Sequence, residues 1–312
     1  LNLHFKKYLG LLIRYGLGIG ILIYFFEKSD FHWDALKTLL EPKTLITLLV
    51  VKFLVYFLIS LRWRRILKEL SVNASVGESV SFSFLAIFFT YFLPGNMSSD
   101  VAKSFFAARV FGAPGRVVFA IIIDRIVGLV SLLLLLGGGI AVFSLGGSPE
   151  FERVWGLVSQ APWQYLLAAM VLGLATATGL WFFVKTHPKF IELKNVVVQL
   201  RSPRFWGEVV AYSLLSHFLF GVFLALGASA LHMQQVDLLG CLIVFPLATL
   251  AMIVPLTPGS LGVGQVLYQY LFDIYAGQPT PASLLFTLLQ VSDLIFMVYG
   301  AWYFVRLLKL KK

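Results

Sequence analysis

Charge is scarce in this chain. Asp, Glu, Lys and Arg make up 13% of its 312 residues, against roughly 25% in an average soluble domain, which argues against a protein surrounded by water. Cysteine is nearly missing: Cys241 stands alone, which excludes an internal disulfide framework and a cysteine-based metal knuckle. No polar linker or composition shift divides the chain, so residues 1–312 read as one domain. Catalytic signatures are missing too. No Walker lysine follows a glycine loop, and neither H-E-x-x-H nor G-x-S-x-G occurs. Gly16-x-Gly18-x-Gly20 lacks a surrounding βαβ unit and reads as close helix packing. His217 has no His or carboxylate three or four residues on, so no metal site is expected. The expectation is a protein without enzymatic activity and without cofactors.

Apolar residues are abundant, at 59% of the chain with a mean hydropathy of +0.87. A helix crosses a bilayer with about 20 mostly apolar residues. Six stretches qualify: 8–26, 43–61, 117–145, 162–184, 209–231 and 283–305. Two further apolar regions, 79–110 and 238–276, are too long for one span and are broken in the middle by proline and glycine.

The basic residues report orientation. Lys6, Lys7, Arg62, Arg64, Arg65, Lys68, Arg116, Lys185, Lys189, Lys194, Arg201, Arg204, Arg306, Lys309, Lys311 and Lys312 fall in alternate loops, while the other loops hold only Lys28, Lys37, Lys43 and Arg153. By the positive-inside rule both termini are expected on the cytoplasmic side. The net charge of +10 is then topology rather than a sign of nucleic acid. Residues 185–207 mix bases with Phe190, Phe205 and Trp206 and read as an amphipathic helix on an anionic leaflet or a solvated loop. The loop at 62–78 and the turn near Arg116 are both basic, so 79–110 enters and leaves by one face. Region 238–276 does the same from the other. The expected fold is all-α and polytopic, with six spanning helices plus two re-entrant helical hairpins. Eight or nine full spans is the alternative.

The two breaks look related. One reads Pro94-Gly95-Asn96-Met97-Ser98-Ser99-Asp100, the other Pro258-Gly259-Ser260-Leu261-Gly262-Val263-Gly264. A spanning helix precedes each, and an aspartate-bearing helix follows: Asp124 in one half, Asp293 in the other. Half-repeats at 43–145 and 209–305 with inverted topology follow, and paired Gly/Pro-interrupted segments point to a transport site near the midplane. The second arm of each hairpin aims free N–H groups at the bilayer centre, which suits a phosphate or carboxylate.

Nine charges remain inside the membrane elements: Arg14, Lys52, Asp100, Lys103, Arg109, Asp124, Arg125, Asp273 and Asp293. Such residues are paired or functional. Arg14 and Arg109 can snorkel, and Asp273 is expected at a hydrated mouth. Asp100 and Lys103 share a helix face. Either an Asp100–Arg125 or a Lys103–Asp124 pair would neutralise these helices. The functional reading instead keeps Lys103 or Arg125 for a phosphate. Asp293 either pairs with Lys52 or carries a proton.

These residues carry a resemblance. Pro94-Gly95-Asn96 with Asp100-x-x-Lys103, Asp124-Arg125-x-x-Gly128-Leu129 and Pro258-Gly259-Ser260-Leu261-Gly262-x-Gly264 resemble the flippase-like transmembrane domain of lysylphosphatidylglycerol synthetases, from about residue 62 to 302. The resemblance implies movement of a phospholipid, an aminoacylated phospholipid or a polyprenyl-phosphate-linked lipid between leaflets, without the soluble domain that synthesises the lipid. Two departures stand out. The family often has arginine where Lys103 stands and glutamate where Gln265 stands. Substrate-binding candidates are Pro94, Gly95, Asn96, Ser98, Ser99, Asp100, Lys103, Asp124, Arg125, Pro258, Gly259, Ser260, Gly262, Gly264 and Gln265, with Asp293 as proton-coupling candidate. The expected partner is a membrane lipid with a phosphate-containing headgroup. A homo-oligomer and a separate lipid-synthesising enzyme are further candidate partners. A small-solute or ion transporter and a membrane-embedded transferase or phosphatase are the rival functions.

Overall fold

Prolines, glycines and capping side chains divide the chain into helices at identifiable points. A computed structural model describes residues 41–92, 98–146, 202–252 and 257–309, with residues 20, 152, 155 and 156 in isolation. The expected spans at 8–26 and 162–184 lie outside these residues, as do Pro94, Gly95 and Asn96. Among the described residues there are eight α-helices and no strand. They are α1 (Pro42–Glu69), α2 (Val76–Phe92), α3 (Ser98–Phe111), α4 (Pro114–Gly146), α5 (Pro203–Ala230), α6 (Leu238–Ala251), α7 (Val263–Ala276) and α8 (Ser283–Lys309). A 3-10 turn, Pro258–Ser260, stands between α6 and α7.

The boundaries have local causes. Pro42, Pro114 and Pro203 sit in the first turn of α1, α4 and α5, where the missing N–H removes nothing. Ser75 and Glu78 form a capping box at the start of α2: the Ser75 N–H donates to Glu78 at 2.7 Å and the Glu78 N–H to Ser75 Oγ at 3.2 Å. Asp237 caps α6 by accepting the Gly240 N–H at 2.8 Å, and it also accepts the Tyr275 hydroxyl at 2.7 Å, which ties α6 to the end of α7.

Four helices, α1, α4, α5 and α8, are long and apolar enough to cross a membrane. They coincide with the expected spans at 43–61, 117–145, 209–231 and 283–305. Region 79–110 is a helix, a break and a helix (α2, α3), and 238–276 repeats the arrangement (α6, α7). The order long, short, short, long therefore occurs twice. Packing follows the same exchange: α1–α2 corresponds to α5–α6, α3–α4 to α7–α8, and α2–α8 to α6–α4. The broad contact of α4 with α5 is an exception: its counterpart, α8 with α1, is narrower and includes the Lys52–Asp293 pair and the Tyr56–Phe296 ring contact.

Two apolar cores result. One gathers α5–α8 around Phe223, Phe245, Phe272 and Leu285. The other gathers the second half of α1 with α2–α4 and the ends of α5 and α8, around Trp63, Phe82 and Val117. Ile46, Val50, Leu134, Val142 and Val298 are exposed on the outside of the long helices, as lipid-facing residues are.

The helix α1 corrects one boundary. The expected loop at 62–78 is mostly helical, since α1 runs on to Glu69 and α2 begins at Val76. Arg62 is accordingly a buried helical residue and not a loop base. Likewise residues 203–207 belong to the first turns of α5, while 185–201 lie outside the described residues.

Candidate functional site

Two clusters of buried charge lie along α1. The first surrounds Arg62 and Trp63. Arg62 grips Asp124 of α4 with both arms of its fork, Nε to Oδ1 at 2.7 Å and Nη2 to Oδ2 at 2.9 Å, and its Nη1 donates to Ser213 Oγ of α5 at 2.6 Å. Gly128, of the Asp124-Arg125-x-x-Gly128 motif, lies beside this guanidinium. Gly128 stands one turn after Asp124, and a β-carbon there would lie 3.4 Å from Arg62 Nη1. Its backbone also serves His217, whose Nε2 lies 3.1 Å from the Gly128 carbonyl oxygen. His217 is thus a hydrogen-bonded packing residue.

Arg125, next to Asp124 but turned away from it, pairs with Asp100 of α3. Of the two expected pairs, Asp100–Arg125 forms, whereas Asp124 takes Arg62 in place of Lys103. That leaves Lys103. It is 5% exposed, its ammonium stands 3.9 Å from the centroid of a Trp63 ring, and it has no hydrogen bond or ion pair among the described residues. Three cations thus face two carboxylates. Ser99 is buried beside them at the start of α3. Pro94, Gly95, Asn96 and the side chain of Ser98 lie outside the described residues.

The second cluster centres on Asp293 of α8. Lys52 of α1, 1% exposed, approaches Asp293 Oδ1 at 2.9 Å and donates to the Leu289 carbonyl at 2.6 Å and Ser292 Oγ at 2.9 Å. The Tyr56 hydroxyl donates to Oδ1, and the Tyr91 hydroxyl to Oδ2 at 3.0 Å. Of the two expectations for Asp293, pairing with Lys52 is the one seen.

Tyr91 connects this cluster to the second break. It ends α2, and a β-carbon on Gly259 would fall 2.7 Å from its Cε1. Gly259 also has φ +55° and Gly262 φ +78°, a region that glycine enters without a steric penalty. The end of α2 therefore touches the tip of the second turn.

That turn is internally satisfied. The Ser260 N–H donates to Thr257 O at 3.2 Å, Leu261 N–H to Pro258 O at 3.1 Å, and Gly262 N–H to Gln265 Oε1 at 2.9 Å. The Gln265 amide donates to Gln290 Oε1 at 2.7 Å, and Gln290 returns a bond to Gly259 O at 3.0 Å. At the expected anion cradle, Ser260–Gly262, the three N–H groups thus already have acceptors. Pro258 and Gln265 are buried, and Gly264 admits the Phe286 ring where any side chain would overlap it. Here Pro258, Gly259, Ser260, Gly262, Gly264 and Gln265 build the turn.

Other expectations resolve simply. Asp273 accepts the Thr280 N–H at 2.7 Å and a Gln269 amide at 2.8 Å, pinning the α7–α8 connection. Arg109 lies against the Phe105 ring at 3.8 Å. The residues missed by sequence reasoning are Arg62, Trp63, Ser213, Tyr56, Tyr91 and Gln290. Ile66, Leu67 and Leu70, all buried, continue the apolar helical pattern beyond Arg62 and were the available signal for it. The two tyrosines and Gln290 carried none.

Comparison with curated proteins and with solved structures returns no match. The model of the lysylphosphatidylglycerol synthase TM region matches residues 11–298, which includes both charge clusters and both breaks. With four apolar spans among the described residues, the chain is a multi-pass membrane protein, and it belongs to the family of the lysylphosphatidylglycerol synthase TM region.

Proposed function

We propose that this chain moves a lipid with a phosphate-containing headgroup between the leaflets of a prokaryotic cytoplasmic membrane. The observation that carries the reading is the surplus cation of the first cluster. Among the described residues Arg62, Lys103 and Arg125 stand near Asp100 and Asp124, and Lys103 is the member with no carboxylate at ion-pair distance. A buried unpaired charge is costly, and a phosphate held at Lys103 would neutralise it. A lysine binds phosphate as a point charge and imposes no bidentate geometry, so headgroups of differing shape are tolerated. The acyl chains stay in the bilayer.

The doubled helix order and its matching contacts support two re-entrant hairpins in an inverted repeat, with both termini cytoplasmic. Movement is downhill or proton-coupled. In the coupled form Asp293 takes the proton. Neutralising it removes the counter-ion of Lys52 and weakens the Tyr91 bond, which loosens the contact between α2 and the Gly259 turn. Lipid synthesis is left to a separate enzyme.

Liposomes holding a chemically trappable lipid test the reading. The protein should accelerate leaflet exchange of anionic or aminoacylated phospholipids. Unchanged exchange across that panel contradicts it, and accelerated flux of a small solute or ion instead would favour a secondary transporter. Single cysteines replacing Ser71 and Gly115 should label from the same face; labelling from opposite faces contradicts the re-entrant arrangement.

A further inference from the structure

The far end of α1 carries a feature that neither charge cluster uses. Leu61, Arg64, Arg65 and Lys68 recur at i, i+3, i+4 and i+7, so they share one face of the helix. With Glu69 and Ser71, and with Arg204, Glu208 and Tyr212 of α5, they line a cleft of about 750 Å³. Pockets that hold small ligands span about 300–1,000 Å³.

The charges of this cleft are sorted. Arg65 pairs with Glu69 at 2.6 Å and with Glu208 at 2.5 Å, and its guanidinium lies 5.0 Å from the Phe205 ring centroid. The other Glu208 oxygen takes Arg204 at 3.0 Å. Glu208 therefore has both oxygens committed and Glu69 one, and Arg65 is held between them. Arg64 gives its Nε to the Ala74 carbonyl at 2.9 Å, which aims the guanidinium while leaving its two terminal nitrogens without a hydrogen bond among the described residues. Lys68 has no ion pair there, and the hydroxyls of Ser71 and Tyr212 make no hydrogen bond there. Two cations and two hydroxyl donors thus line the cleft, from α1 and its following turn on one side and from Tyr212 of α5 on the other. None of the four has an ion-pair or side-chain hydroxyl acceptor among the described residues. Such a set is complementary to a phosphate, whose several oxygens accept from all four.

We propose that this cleft is a second anion site, separate from Lys103, that takes a phosphate group. The group comes from an anionic lipid headgroup of the adjoining leaflet or from a soluble phosphorylated molecule. Lys68 lies about 24 Å along α1 from Lys52, at roughly 1.5 Å of rise per residue, and on a different face from Arg62 and Trp63. Leu61 at the inner end and Trp206 on the next turn of α5, 38% exposed, suit the level where headgroups meet acyl chains. The site is a holding place for anionic headgroups at the membrane surface and needs no passage through the bundle.

The test uses the full chain carrying Lys103→Met, so that the first cluster does not contribute. Native mass spectrometry compares retention of phosphatidylglycerol with phosphatidylcholine, and a second arm titrates glycerol 3-phosphate. Phosphatidylglycerol should be retained over phosphatidylcholine, and Lys68→Glu should weaken it by about fivefold or more, as near-surface basic residues do. Tyr212→Phe, which removes a donor and keeps the ring, should weaken it less. Both variants alter half-exposed or exposed side chains, and a monodisperse elution profile confirms folding. Glycerol 3-phosphate binding with the same Lys68 dependence, without lipid preference, assigns the site to a soluble ligand. Equal retention of the two lipids with no glycerol 3-phosphate binding overturns the proposal, as does indifference of every binding signal to Lys68→Glu.

Discussion

The two breaks occupy equivalent places in the doubled helix order, yet the chemistry behind them differs. After the first break, α3 opens with Asp100 and Lys103, and its neighbour α4 supplies Asp124 and Arg125. After the second, α7 opens with Gly264 and Gln265, and α8 supplies Thr287 and Gln290. One break is backed by formal charge with a cation in excess, the other by amides that satisfy each other and the turn. The shared element order places an interruption at the same point of each half. The side chains behind each interruption decide whether it binds a charge or holds a backbone shape.

The largest expected effect comes from the charged side. Arg62→Ala leaves Asp124 buried without its partner, which costs about 3–5 kcal/mol; the yield of monodisperse protein and its thermal midpoint in detergent should both fall. Adding Asp124→Ala should recover part of the loss, because the uncompensated charge is gone. Recovery to no degree would mean that Arg62 works through Ser213 alone. Next comes Gly264→Ala, where the added carbon overlaps the Phe286 ring. Overpacking of this kind costs about 1–3 kcal/mol, read as a lower midpoint with lipid exchange reduced in proportion to folded protein. Gln290→Leu removes the donor to Gly259 O and the acceptor of Gln265. Buried groups left unsatisfied cost about 1–3 kcal/mol, and the loss should appear as faster proteolysis near residue 259. If Gln290→Leu is silent, the amide network is not what holds the second turn.

Much of this fold is legible in the sequence because bilayers impose length. Apolar runs at 43–61, 117–145, 209–231 and 283–305 each lie within a long helix, and the ends of region 238–276 coincide with the start of α6 and the end of α7. The broken regions were legible because each carries a Pro-Gly pair, a far stronger break than the lone Pro246 that α6 accommodates; at the second, Gly259 and Gly262 adopt positive φ. The charge partners were only half legible. Lys52–Asp293 follows from the need of buried charges to pair, and Asp100–Arg125 from the nearness of opposite charges on neighbouring apolar helices, with Arg125 itself exposed. Arg62 was read as an orientation signal, since a base at a span's end ordinarily is one; only the apolar period running past it marks the helix as continuing. Tyr91 and Gln290 enter the site through tertiary packing of α2 and α8, which no local pattern encodes. The Gly/Pro turn of the second half promised free N–H groups, and Gln265, three residues on from Gly262, takes one of them.

The smallest effect on stability and the largest on activity should fall on Lys103. Lys103→Met keeps the length and the apolar contact with Trp63 while removing a buried cation that lacks a carboxylate. Leaflet exchange of phosphatidylglycerol, measured in liposomes with wild type and Lys103→Met side by side, is the direct test of the surplus-cation account. The account predicts exchange at the protein-free rate with an unfolding midpoint equal to or above that of wild type. Exchange at the wild-type rate in Lys103→Met would contradict it.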